Sequence, residues 1–107
     1  MSSPLAGNKL GILISAAPDQ PNFSHGLLLA ATALNNEVTV YLYLIDQAVP
    51  GIDEARLQSL RTDGLKLFAC AFGAKKLDLE TDDRATWVGL ATASELISAT
   101  DRFVSFN

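Results

Sequence analysis

The chain is poor in the groups that carry most enzyme chemistry. Its 107 residues include one cysteine, Cys70, and one histidine, His25, far apart in sequence. One cysteine cannot close an internal disulfide, and two such ligands without a repeat spacing make no zinc pattern. A lone thiol fits a reducing compartment. Glycine-rich phosphate loops are also missing. No GxGxxG follows the first apolar run and no GxxxxGK[ST] occurs, which removes support for dinucleotide binding and nucleotide hydrolysis. No GxSxG elbow marks a serine nucleophile. The formal net charge is -4 and lysines and arginines never cluster beyond two neighbours, so no basic stripe is available to nucleic acid. No apolar run approaches the length of a membrane span. Residues 10–17, LGILISAA, have the look of a signal-peptide core, but the run is short and only Lys9 precedes it as a positive charge; it reads as a buried first strand. The expected setting is cytoplasmic, with no nucleic-acid or membrane partner and no metal or organic cofactor.

What is present is a globular composition, 49% hydrophobic and 19% charged, in a chain of one-domain length. Residues 1–8 are small and polar, contain Pro4 and Gly7, and read as a flexible N-terminal tail; residues 9–107 read as a single domain. Residues 9–15 are a first strand with apolar side chains on both faces. Residues 16–22, AAPDQPN, are a loop. A helix follows over 23–35, capped by Asn22 or Ser24, with Phe23, Leu27, Ala30, Ala31 and Leu34 on one face and Asn35-Asn36 as its stop. Residues 38–45, VTVYLYLI, are a second strand, with Asp46 at its end. A loop around Pro50 leads to a short helix over 53–61, whose Asp53 and Glu54 suit the first turn. Residues 65–70 are a third strand that ends on Cys70, and AFGAKK turns into a small basic helix. An acidic connection, 77–83, precedes a short strand over 85–88, a helix over 89–100 with Leu90, Ala93, Leu96 and Ile97 inward, and a last strand over 103–106. Alternation of this kind predicts a parallel five-stranded sheet with helices on both faces.

In such sheets ligands meet the carboxyl ends of the strands, which makes residues 15–17, Asp46 and Cys70 the candidate rim. Cys70 has two readings. At a strand exit and helix start, unpaired N–H groups favour the nucleophilic thiolate, and Lys75 and Lys76, one to two turns on, add to that field. Free cysteine is also among the most buried residue types, so an inert core thiol is the alternative. His25 is a candidate to orient or deprotonate the thiol, against a capping or surface role. Asp46 either contacts a ligand or only starts the next loop. Phe68 and Phe72 flank Cys70 and either wall a small pocket or fill the core. Tyr41, Tyr43 and Trp87 suit helix packing or a subunit interface. A nucleotide- or anion-binding module at the strand ends is a weaker third reading.

Three segments resemble the DsrE/DsrF-like family, which includes the TusD-type sulfur-relay subunits. They are NEVTVYLYLID over 36–46, LKLFACAFGAKK over 65–76 and LISATDRFVSF over 96–106. The resemblance covers roughly residues 9–106. It implies a small flavodoxin-like three-layer α/β/α domain with a mainly parallel sheet. It places Cys70 where active members carry a persulfide received from a TusA-like sulfur donor, and so implies a sulfurtransferase-type persulfide carrier. Members without the cysteine serve as structural partners, so a non-catalytic or regulatory subunit with an inert Cys70 is the alternative. The resemblance also implies a homo-oligomer, trimer or hexamer, or assembly with paralogous subunits.

Overall fold

The computed structural model describes residues 4–107. Five strands, β1 (Lys9–Ile14), β2 (Thr39–Leu44), β3 (Lys66–Cys70), β4 (Thr86–Val88) and β5 (Arg102–Phe106), form one sheet in the order β4-β3-β2-β1-β5. Every pairing is parallel. Four helices connect them: α1 (Pro21–Asn35), α2 (Ala55–Thr62), α3 (Ala71–Lys76) and α4 (Leu90–Ser98). None of the described helices is long and apolar enough to cross a membrane.

The period of two along each strand divides the core into two layers. Ile12, Ile14, Val40, Leu42, Leu44 and Leu67 point to the α1 side, where Phe23, Leu27, Ala30 and Ala33 are buried against them. Gly26 allows the closest approach: a Cβ there would lie 2.6 Å from Ile14 Cδ1. On the other face Tyr41, Tyr43 and Phe68 meet Ala93, Leu96 and Ile97 of α4 around a small apolar cavity. Tyr41 and Phe68 stack with centroids 6.4 Å apart. The domain is therefore the expected α/β/α sandwich, and β1 lies between β2 and β5.

Several boundaries differ from the sequence-based expectation. The first helix starts at Pro21, inside the expected loop, because proline supplies a helical φ and its missing N–H is no loss at the first position. Neither Asn22 nor Ser24 caps it; Gln20 occupies the cap position without a side-chain bond to a free amide. The left-handed residue after α1 is Glu37 (φ 62), not an asparagine. The stretch around Pro50 is a 3-10 helix, Asp46–Asp53, rather than a loop. Its presence delays α2, so Asp53 and Glu54 precede that helix instead of filling its first turn. Asp53 pairs with Arg84, which also binds Asp82 at 2.7 Å and the Glu80 carbonyl at 3.2 Å. The guanidinium's hydrogen bond holds the Asp82 carboxyl below its ordinary value. These bonds pin the acidic connection to the domain, and Trp87 Nε1 donates to the Asp82 carbonyl at 2.8 Å. Leu90, expected inward, opens α4 exposed. Residues 1–3 of the expected tail lie outside the described residues; residues 4–7 form turns, and the Gly7 amide donates to the Glu37 carbonyl at 3.2 Å.

Candidate functional site

At the carboxyl end of the sheet, the exits of β1, β2, β3 and β5 surround an open pocket of about 550 Å³. β1 contributes Ser15 and Ala16, β2 contributes Asp46 and Gln47, β3 contributes Cys70, and β5 contributes Asn107. Phe72, Lys76 and Leu77 supply a wall from α3 and its end. This is the rim at which parallel sheets hold ligands. The strands bring together residues far apart in sequence; Ser15 Oγ donates to Asn107 Oδ1 at 2.8 Å across the wall.

Cys70 ends β3 with extended backbone (φ -72, ψ 114) and serves as the N-cap of α3. Its Sγ accepts a hydrogen bond from the Gly73 amide at 3.3 Å. α3 has six residues, fewer than two turns, so the field expected from a long helix dipole reduces to the nearest amides, Gly73 first. Gly73 also leaves little room for a side chain: a Cβ would stand 3.2 Å from Val49 Cγ2, a tight contact, and 3.7 Å from the Cys70 sulfur. The residue as a whole is 7% exposed while still lining the pocket, which makes Cys70 part of the pocket floor.

Behind the thiol stands Tyr43. Its hydroxyl donates to the Val88 carbonyl at 3.3 Å, and Val88 is the register partner of Cys70 on β4. Burial holds the phenol well above its ordinary range, with negative charge on Cys70 adding to the effect. Tyr43 thus remains a proton donor over the range in which cysteines ordinarily ionise.

Asp46 lines the pocket with left-handed backbone, φ 51, a conformation that costs a non-glycine residue energy and recurs at functional positions. Lys75 is exposed and does not line the pocket; its neighbour Lys76 does. His25 is not brought to Cys70. It is exposed on α1, its Nδ1 3.1 Å from Asn22 Oδ1. Phe72, 72% exposed, stands on the pocket rim, whereas Phe68 packs under α4. Of the lining residues, Gln47 and Asn107 went unrecognised in the sequence, although both lie directly beyond strand exits; Lys76, expected beside Lys75 to add to the field at the thiol, is the lysine of the two that lines the pocket.

The sequence matches no protein-family model and no curated protein. Solved structures do match. YchN from E. coli aligns with a TM-score of 0.79 at 16% identity, over 92% of this chain and 99% of that one. BT1422 from Bacteroides thetaiotaomicron, a conserved protein of unknown function, aligns with a TM-score of 0.79 at 15% identity, over 98% and 100%. At these identities the likeness shows the fold, an α/β domain shared with YchN and BT1422, and nothing finer.

Proposed function

From this fold and the pocket above Cys70, we propose that the chain is a cytoplasmic sulfur-relay protein in which Cys70 carries a persulfide. The observation that carries the reading is a thiol on the floor of a strand-end pocket, with the Gly73 amide 3.3 Å from its sulfur. The Cys70 thiolate attacks the outer sulfur of a donor persulfide, R–S–SH. The donor S–S bond breaks, R–S⁻ leaves and takes up a proton, and Cys70–S–SH forms. An acceptor thiolate then attacks the same outer sulfur and releases the Cys70 thiolate. Sulfane sulfur moves without net oxidation, so no redox cofactor enters. The Gly73 N–H points to where negative charge sits before attack and after release. A TusA-like protein is the expected macromolecular donor, and a homo-oligomer or an assembly with paralogous subunits the expected state.

The test is intact-mass analysis of the full chain after incubation with a persulfide donor. Addition of one sulfur to the parent and none to Cys70→Ser is the expected result. No added sulfur on the parent removes the reading. A second reading, a non-catalytic subunit with an inert thiol, is favoured by the low exposure of Cys70. It predicts slow alkylation of the folded protein and unchanged function in Cys70→Ser; rapid alkylation of the native chain counts against it.

A further inference from the structure

We infer that the pocket over Cys70 accepts a low-molecular-weight amino-acid persulfide, a small R–S–SH carrying both an ammonium and a carboxylate, as a sulfur donor. This rests on the persulfide-carrier reading and names its substrate class. Access comes first. Cys70 is 7% exposed and meets solvent-sized space through a pocket of about 550 Å³. That volume falls within the range that encloses small ligands, roughly 300–1,000 Å³. A flat protein face cannot bring a sulfur to such a floor without inserting a segment of chain, whereas a small thiol persulfide enters whole.

Charge then selects among small donors. The charged side chains lining the pocket are Asp46 and Lys76, one of each sign, on two different elements. A zwitterion can pair with both: its ammonium with Asp46, its carboxylate with Lys76. A dianion such as thiosulfate gains from Lys76 but is opposed by Asp46. An uncharged alkyl persulfide uses neither. Phe72 and Leu77 offer apolar surface to the methylene carbon, and Gln47 adds a neutral hydrogen-bonding group. Both charged groups are solvent-exposed, so each contributes specificity through a screened pair rather than through a buried one.

The experiment follows sulfur loading of Cys70 on the full chain by intact mass, over a concentration series of cysteine persulfide, an uncharged alkyl persulfide and thiosulfate. A persulfidated carrier protein serves as the macromolecular donor. Cysteine persulfide is expected to load at the lowest concentration. Asp46→Asn and Lys76→Gln each lower the preference for cysteine persulfide over the alkyl persulfide by about two- to fivefold, the range of one exposed ion pair. Asparagine tolerates the backbone at position 46, and Lys76→Arg should restore the preference. Equal loading by charged and uncharged persulfides, or a preference unmoved in both variants, overturns the inference and leaves the carrier reading standing. Loading from the protein persulfide alone does the same. Failure of every donor to load Cys70 overturns the carrier reading, and the inference with it.

Discussion

Tyr43 shows how much of the chemistry turns on single side chains. Its phenol binds its proton more tightly in the folded chain, chiefly because of burial, than in the unfolded chain, where tyrosine titrates near about 10. A group with a raised folded value contributes stability that is complete below the unfolded value and is lost as pH climbs from there towards the folded one. The parent should therefore lose stability steeply above about pH 10. Tyr43→Phe should show a flatter curve over the same window, read by urea unfolding followed through Trp87 fluorescence. Parallel curves for the two proteins would refute this. The same residue marks a limit of sequence reading. That Tyr41 and Tyr43 share a sheet face follows from alternation, but the meeting of Tyr43 with Cys70 depends on the register of β2 with β3, and its bond to Val88 on β4 pairing with β3. Lys75 and Lys76 could not be separated for a similar reason: one residue of rotation on a short helix decides which reaches the pocket. For His25 the surface alternative holds: α1 begins at Pro21, and the ring stands in solvent beside Asn22.

At the scale of elements, the strands were legible because burial on both faces demands continuous apolar runs. β2 and β3 are such runs, and each ends within one residue of its expected exit. The 3-10 helix was not legible, since proline and glycine at 50 and 51 signal a loop and the segment is held by packing. Ala48, Val49 and Ile52 are all buried. The packing of α1 on the sheet invites a direct test. Gly26→Ala sets two effects against each other. Alanine favours an exposed helix interior by up to about 1 kcal/mol. The added Cβ, however, would lie 2.6 Å from Ile14 Cδ1 and 3.4 Å from Phe106, and Ile14 is fully buried and cannot swing clear. Overpacking of this kind costs about 1–3 kcal/mol, so the net effect should be destabilising. Thermal unfolding should show a lower midpoint for Gly26→Ala. A midpoint at or above the parent's would mean that α1 lifts from β1 at little cost.

For the molecule as a whole, the two sheet faces are covered unequally. Five strands about 4.8 Å apart span roughly 19 Å, while one helix is about 10 Å wide. α1 and α2 pack side by side on one face, but α4, nine residues long, stands over the other. Leu90 remains 74% exposed, Ile97 39% and Phe103 38%, and the Tyr41–Phe68 pair is half-buried. Alternation in the sequence predicts that both faces are apolar; it does not say that one helix is too narrow to cover its side. This unequal cover supports the proposed homo-oligomer, with the α4 face as its interface. Sedimentation equilibrium should then give a mass that is a multiple of the 11.4 kDa chain. Lysines at Ile97 and Phe103 together would place two charges in the apolar contact, where desolvation outweighs any gain. Both positions are already partly open to water, so each chain can still fold. The double variant Ile97→Lys, Phe103→Lys should sediment as a monomer with an unchanged far-ultraviolet dichroism spectrum. A monomeric parent would sink the oligomer proposal, and a double variant still at the parent's mass would move the interface away from α4.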